Sequence, residues 1–328
     1  MKPFLIPGLI LACVLAGLAG LFAGDARIGF SDLLALGSET PELSTLILSE
    51  LRLPRTLLGL LIGAGLGASG AVLQGYFRNP LADPGIVGVS SSAGLGAVLA
   101  LYFGWATVFG FAVPIAAVIA AMIGAVLLLL LAGRRAGATT LILAGVAVSA
   151  AAGALTALIM NMAPNPWALA EIAYWLMGSL NDASWTELRF AAPLIGSGLI
   201  LLILCRGGIE ALSLGEETAL SLGIHLGRLR IIMVAGTALA VGGGVAVAGA
   251  IGFIGLVVPH LLRGFVEHRP GLLVLPSALG GAALLSAADT ATRLISGPGI
   301  PLYLGVLTAL IGAPFFLWLI RSLPRSAP

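Results

Sequence analysis

The chain has 328 residues, of which 59% are hydrophobic and 9% are charged, and its mean hydropathy is +1.12. Its 16 basic and 14 acidic residues give a net charge of +2, and they are too few to cover a soluble domain of this size with a polar surface. The composition excludes an ordinary soluble enzyme, a nucleic-acid-binding protein and a disordered chain. It predicts an all-α, polytopic membrane protein with short loops.

Ten apolar runs follow one another along the chain, and each full run can cross about 30 Å of hydrocarbon at about 1.5 Å per residue. The first run could be a signal peptide cleaved at Ala23–Gly24, but its length of about 19 residues exceeds a typical signal region, and many spans follow. Ile231–Leu262 has 32 residues without a charge, so we expect two helices joined by a turn at Gly249–Gly252. The ten predicted spans are Phe4–Phe22, Thr56–Phe77, Ile86–Phe103, Phe111–Ala132, Leu141–Met160, Phe190–Cys205, Ile231–Ala248, Ile251–Leu262, Leu272–Ala288 and Tyr303–Ile320.

The distribution of basic residues orients these spans. If both termini are cytoplasmic, eleven basic residues lie inside and five lie outside, which agrees with the positive-inside rule. We therefore predict one transmembrane domain over residues 1–328, a polar cytoplasmic segment over residues 207–228, and an outer segment over residues 161–189. The outer segment holds Trp167, Trp175 and Trp185, and its middle, Ala168–Met177, is predicted to form a short interfacial helix.

Several kinds of chemistry are missing from the sequence. Lys2 is the single lysine, so the chain cannot contain a phosphate-binding loop of its own, and any ATP must be bound by another polypeptide. The three histidines are too scattered for a recognisable metal site, and no catalytic triad or paired-carboxylate signature stands out. We expect no enzyme activity and no metal bound by this chain.

Glycine is abundant, with 46 residues, and small residues recur at four-residue spacing. Such stripes let membrane helices approach closely, either within one chain or along a translocation path or subunit interface. One stripe is Gly59, Gly63, Gly67, Ala71 and Gly75, and the other is Gly236, Ala240, Gly244, Ala248 and Gly252.

Six segments, in order along nearly the whole chain, resemble the permease subunits of bacterial ABC importers for vitamin B12, ferric siderophores and heme. They are Leu51–Gly94, Leu141–Ala150, Tyr174–Leu180, Leu214–Ile224, Gly249–Arg263 and Gly305–Leu319. The resemblance implies a type II importer permease of the inner membrane, with ten helices per subunit and a second copy completing a homodimer. It also implies a cytoplasmic ABC ATPase dimer that carries ATP and Mg, a periplasmic substrate-binding protein, and no cofactor on this chain.

The cytoplasmic segment LGEETALSLGI contains a predicted short helix. Glu216 and Glu217 fall in its first turn, where carboxylates favour the helix dipole, and Gly223 can end it. We expect Ala219, Leu220 and Leu222 to pack on one side, and a solvated loop is the alternative. The resemblance implies an ATPase-coupling helix, for which the predicted residues are Gly215, Glu216, Glu217, Ala219, Leu222 and Gly223.

The loop RNPLADPG, residues Arg78–Gly85, contains two prolines that block a helix. A simple inner turn is one interpretation. The resemblance implies a cytoplasmic gate made by this loop and the next inner loop, at Asn79, Pro80, Leu81, Thr139 and Thr140.

Three arginines, Arg52, Arg55 and Arg293, are predicted near the outer ends of spans. Arg293 stands four residues after Asp289, so a local ion pair is one interpretation, and Arg52 and Arg55 could instead reach lipid headgroups. The resemblance implies that these arginines dock the periplasmic binding protein. Such pairs would set orientation and association rate.

Asp289 could alternatively serve as a proton-relay acid in an ion-coupled secondary transporter, and a structural or assembly membrane protein is a third class. The predicted docking segment and the gate-like loops favour an ABC importer permease. Tyr174–Trp185 is more similar to heme and ferric-siderophore members than to vitamin B12 members, so heme is the first expected substrate. His260 could be interpreted as an axial heme ligand. The pair Pro259–His260 resembles the family generally, including its vitamin B12 members, so we expect a structural role for His260.

Overall fold

A computed structural model describes residues 2–24, 26, 28–34, 42–133, 137–296 and 301–322, and within these ranges it contains helices and no strand. The predicted all-α fold is confirmed. A π-helical turn, Ile47–Arg52, leads into α4, and 3-10 turns occur at Pro84–Val87 and Arg263–Val266. The α-helices are α1 (Leu5–Phe22), α2 (Phe30–Leu34), α3 (Leu43–Leu46), α4 (Leu53–Phe77), α5 (Val89–Tyr102), α6 (Trp105–Val108), α7 (Ala112–Ala132), α8 (Ala138–Asn161), α9 (Pro166–Leu176), α10 (Trp185–Leu204), α11 (Arg206–Leu212), α12 (Glu216–Ser221), α13 (Leu226–Ala248), α14 (Ile254–Leu262), α15 (Pro270–Ile295) and α16 (Leu304–Ser322).

The ten predicted spans correspond to ten of these helices. In the described part of the chain, seven are long and apolar enough to cross a membrane, namely α1, α4, α7, α8, α10, α13 and α15, and α5, α14 and α16 are shorter apolar helices. The predicted turn between α13 and α14 is present, because helix stops at Ala248 and resumes at Ile254. Where the sequence predicts a short interfacial helix, the helix α9 is present, and its place at the membrane surface stays a prediction.

Contacts between helix ends show how the chain alternates through the bundle. At one end, the start of α4 meets the end of α15 through Arg55 and Asp289, and we call this the arginine end. At the other end, which we call the α12 end, Arg206 at the start of α11 donates to the carbonyl of Gly271 at the start of α15. The end of α7 joins this group, because Arg230 of α13 donates to the carbonyl of Gly133.

Helix α4 lies at the centre, with most of its residues buried. A methyl group at Gly63 would overlap the carbonyl of Gly281, and one at Gly67 would overlap the carbonyl of Ser277, both on α15. Gly70 approaches the carbonyl of Gly255 in α14 just as closely. This stripe of small residues therefore packs helices within one chain, as one of the two interpretations predicted.

Candidate functional sites at the two ends of the bundle

The arginine end holds a buried ion pair between helices that are far apart in sequence. The Arg55 guanidinium donates to both carboxylate oxygens of Asp289, with Nη2 at 2.8 Å from Oδ1 and Nε at 3.0 Å from Oδ2. Their side chains are 14% and 4% exposed. Because a two-point contact fixes the plane of the guanidinium, the pair sets the relative position of α4 and α15.

The other two predicted arginines join this pair. Arg293 Nη2 lies 3.5 Å from Asp289 Oδ2, so the expected local ion pair is present. Arg293 Nη1 also donates to the carbonyl of Ala23, and Arg52 donates to the carbonyls of Leu21 and Ala26. The guanidinium groups of Arg52 and Arg293 thus lie at the carboxyl end of α1. The last carbonyls of a helix lack helical partners, and the helix dipole is negative there.

This arginine cluster, defined as Arg52, Arg55, Asp289 and Arg293, contains three positive charges and one negative charge. Arg52 is 6% exposed, so it is held inside the protein rather than extended towards headgroups. Arg293 Nε is buried and makes no hydrogen bond within the described residues. The cluster therefore brings three arginines and one carboxylate together in a largely buried position at this end of the bundle. Docking of a binding protein stays a prediction.

At the α12 end, the predicted short helix is present as α12. Gly215 before it has φ +109° and Gly223 after it has φ +81°, conformations that favour glycine. Ala219 is fully buried. The expectation that Leu220 and Leu222 pack beside it is wrong, because they are 55% and 61% exposed. A six-residue helix buries one narrow side, and these two leucines fall outside it.

Sequence reasoning also missed Leu214, which is 67% exposed just before α12. Leu214, Leu220 and Leu222 are thus all exposed along α12 and its two flanks, and we call these three residues the leucine surface. Exposed apolar side chains rimmed by polar residues are typical of a protein-binding surface.

The predicted gate loop lies between α4 and the 3-10 turn at Pro84–Val87. Arg78 ends α4 with φ +51°, and Asn79 Oδ1 accepts a hydrogen bond from the Leu81 amide at 2.9 Å. Asp83 Oδ1 accepts from the Gly85 amide at 2.8 Å. Burial raises the pKa of Asp83, and the bond from Gly85 opposes this shift. These local bonds give the loop a defined shape.

The gate loop contacts α8, and α8 carries the other predicted gate residues, Thr139 and Thr140. Ser149 of α8 donates to the carbonyl of Gly85 at 3.2 Å, and the backbone of Ile86 packs against Gly145. Thr139 and Thr140 lie exposed in the first turn of α8. The structure therefore connects both predicted gate segments through one helix.

One buried polar contact was not predicted. Gln74 of α4 donates to the carbonyls of Gly255 and Leu256 at 3.2 and 3.3 Å, and its Oε1 accepts from Arg263 Nη2 at 2.7 Å. A glutamine inside an apolar span is the signal that could have revealed this contact, since buried amides need partners.

His260 and Asp289 differ in their surroundings. The His260 ring meets the edge of Phe315 at 5.7 Å between centroids, and its Nδ1 is buried without a hydrogen bond from the described residues. Asp289 is paired with two arginines, Arg55 and Arg293. No group of three potential metal ligands occurs among the residues that the structure describes.

Comparison with known proteins agrees with this architecture. The model of the FecCD transport family matches residues 10–322. A vitamin B12 import system permease protein from Salmonella paratyphi A is 39% identical over 97% of this chain and 94% of its own length. A cobalamin import system permease protein from Halobacterium salinarum is 41% identical over 86% of this chain and 75% of its own length.

A solved structure supports the same classification. A transporter assigned to the metal-chelate type of ABC transporter, in an inward-facing conformation, aligns with a TM-score of 0.81 and 31% identity, over 98% of this chain and all of the other. The fold and the sequence define a multi-pass ABC importer permease. The chain belongs to the FecCD transport family.

Proposed function

We propose that this chain is the translocation subunit of an importer that moves a bulky metal chelate from the periplasm to the cytoplasm, powered by a separate ABC ATPase dimer holding ATP and Mg. The observation that carries the proposal is the exposed leucine surface around α12. A permease without its own ATP site needs a place to receive force, and Leu214, Leu220 and Leu222 offer one. In this assembly the α12 end and both termini face the cytoplasm.

The arginine end then faces the periplasm. Arg55 and Arg293, whose side chains are each 14% exposed there, would pair with acidic side chains of a periplasmic substrate-binding protein. A second copy of the chain would complete the translocation path, because the ten helices of one subunit leave broad apolar surfaces on α8 and α16 exposed. The assembly sits in the inner membrane, with the lipid bilayer around it and no nucleic acid involved.

Two substrate classes are favoured by different observations. The names of the relatives from Salmonella and Halobacterium favour cobalamin. The similarity of Tyr174–Trp185 to heme and siderophore members favours an iron complex, with heme first. We rank cobalamin first because the named relatives match the chain over most of its length.

Transport into proteoliposomes tests the proposal. The chain is reconstituted with its ATPase and a candidate binding protein, and uptake of cobalamin, heme and a ferric siderophore is compared with and without ATP. ATP-dependent accumulation of one chelate supports the proposal and identifies the substrate. Uptake that needs a proton gradient and no ATP would overturn it in favour of an ion-coupled transporter.

A further inference from the structure

A cavity of about 690 Å³ opens at the arginine end of the bundle, between α9 and the adjoining ends of α5, α7, α10 and α13. Its volume lies within the range of about 300 to 1,000 Å³ that is usual for small-molecule sites. Four aromatic residues line it, namely Trp167, Tyr174, Trp175 and Tyr303. We call this space the aromatic cavity.

The geometry of α9 places polar and aromatic groups side by side in the aromatic cavity. Trp167, Glu171 and Tyr174 are spaced by four and three residues, so they share one face of the helix. Tyr174 stacks on Tyr303, with ring centroids 5.8 Å apart and planes 8° apart. Trp167 is 85% exposed, which puts its ring within reach of solvent at the mouth.

The charged side chains that line the aromatic cavity are acidic. Among the residues that the structure describes, the lining includes the carboxylates of Glu171, Asp182 and Glu187 and no lysine, arginine or histidine. Glu187 is occupied locally, because its Oε2 accepts from the amide and the hydroxyl of Ser184. Glu171 and Asp182 are exposed and available to a ligand. The carboxyl end of α13, at Ala248, adds the negative pole of a helix dipole.

We propose that the aromatic cavity is a binding site for a small organic cation that carries an ammonium or guanidinium group. Aromatic faces attract cations through their quadrupoles, and the two free carboxylates add direct charge attraction. Three independent features, the aromatic rings, the carboxylates and the helix end, all select positive charge. A neutral ligand of the same shape gains only apolar contact. The site is separate from the arginine cluster, since no residue of that cluster lines the aromatic cavity.

The cation has two possible sources with the same chemistry. It can be a free molecule from the periplasmic solution, or the lysine or arginine side chain of a protein docked at this end. Helix α10, which supplies Glu187 to the cavity, contacts the segment that carries Arg52, because Trp185 Nε1 donates to the carbonyl of Ser49 at 3.0 Å. A protein that covers one feature could therefore also reach the other.

Choline and its neutral isostere 3,3-dimethyl-1-butanol test the site directly. The full chain, purified in nanodiscs, is titrated with each at constant ionic strength, and its tryptophan fluorescence is recorded. We expect a saturable change with choline and none with the neutral alcohol. An equal response to both compounds, or no saturable response to choline, would overturn the proposal.

Variants of the lining residues test whether the response to choline arises in the aromatic cavity. Glu171→Gln and Asp182→Asn should each weaken choline binding by about three- to tenfold, and Trp167→Leu should weaken it similarly. Glu50→Gln is the control, since Glu50 is an exposed acid before α4 that does not line the cavity. Unchanged affinity in both Glu171→Gln and Asp182→Asn, with intact size-exclusion profiles, would remove the cavity as the site.

A second titration separates the two sources. Choline binding is measured again with a saturating substrate-binding protein present. Competitive loss of choline binding supports a basic side chain as the occupant. Unchanged choline binding supports a free cation. Because the first titration needs neither ATP nor transport, it stands whether or not the proposed import function holds.

Discussion

Arg55 and Asp289, which are 234 residues apart in sequence, form a two-point ion pair inside the arginine end. Arg293 adds a second, longer contact to the same carboxylate at 3.5 Å. Asp289 therefore binds two arginines, Arg55 on α4 and Arg293 on α15. Its removal would take this counter-charge away from Arg55 and Arg293.

Loss of Arg55 should destabilise the folded chain strongly. In Arg55→Ala the Asp289 carboxylate, 4% exposed, keeps only the longer contact to Arg293, so we expect a loss of about 3 kcal/mol in the free energy of unfolding. The free energy of unfolding of Arg55→Lys should lie between those of the native chain and Arg55→Ala. An ammonium group keeps the positive charge but cannot make the two-point contact. Denaturant unfolding in detergent measures both.

The matched control is Arg269→Ala. Arg269 pairs with Glu210 at 2.6 Å, but its side chain is 55% exposed, so its loss should cost no more than about 1 kcal/mol. Similar losses for Arg55→Ala and Arg269→Ala would contradict the structural importance of the buried pair.

Close helix packing predicts a large difference between two glycine-to-alanine changes. In Gly67→Ala the new methyl group overlaps the backbone carbonyl of Ser277, which no side-chain rotation relieves, and we expect a loss of about 1 to 3 kcal/mol in stability. Gly153 in α8 has open space around its Cβ position. Gly153→Ala should leave stability unchanged or raise it by about 1 kcal/mol through helix propensity. Equal effects in thermal unfolding of the two variants would contradict the packing.

The leucine surface should control binding of the ATPase. Leu222→Ser removes an apolar side chain that is 61% exposed, so the fold should persist while co-purification of the ATPase subunit falls about fivefold or more. Leu43→Ser makes the same change at a leucine that is 74% exposed before α4, and binding should be unaffected. If Leu222→Ser retained full ATPase binding and ATP-driven uptake, α12 would not be the coupling element.

The gate loop should make stability depend on pH through Asp83. Burial raises the pKa of Asp83 in the folded chain, so the folded state holds its proton more tightly than the unfolded state. Below the ordinary pKa of about 3.9 the carboxyl is neutral in both the folded and the unfolded state. Its ionisation then makes no contribution to the free energy of unfolding. As pH rises from there through the folded pKa, the free energy of unfolding falls.

Asp83→Asn tests this dependence. Its amide oxygen can still accept from the Gly85 amide, but the group cannot ionise. The difference in the free energy of unfolding, Asp83→Asn minus the native chain, should therefore be near zero at low pH. It should become more positive as pH increases. Thermal midpoints recorded at several pH values measure it, with Asp83→Ala as the control that loses the hydrogen bond at every pH. Parallel pH profiles for Asp83→Asn and the native chain would refute the expectation.

Local patterns in the sequence were sufficient for the membrane class, the ten apolar helices and the bounds of α12. Apolar run length and charge spacing determine a span without reference to its neighbours, and Gly215 and Gly223 mark a short helix by their own backbone freedom. The pair of Asp289 with Arg293 was also predictable, because four-residue spacing in a helix brings side chains together.

Only the tertiary structure decided which distant groups meet. The partner of Asp289 on α4, the contact of Gln74 with Arg263 and the exposure of Leu220 and Leu222 depend on how helices pack. The aromatic cavity likewise combines residues of α9 with the ends of four other helices. In a chain where nearly every helix is apolar, the hydrophobic pattern marks spans but does not select neighbours. Close approach at glycines and buried polar pairs make that selection.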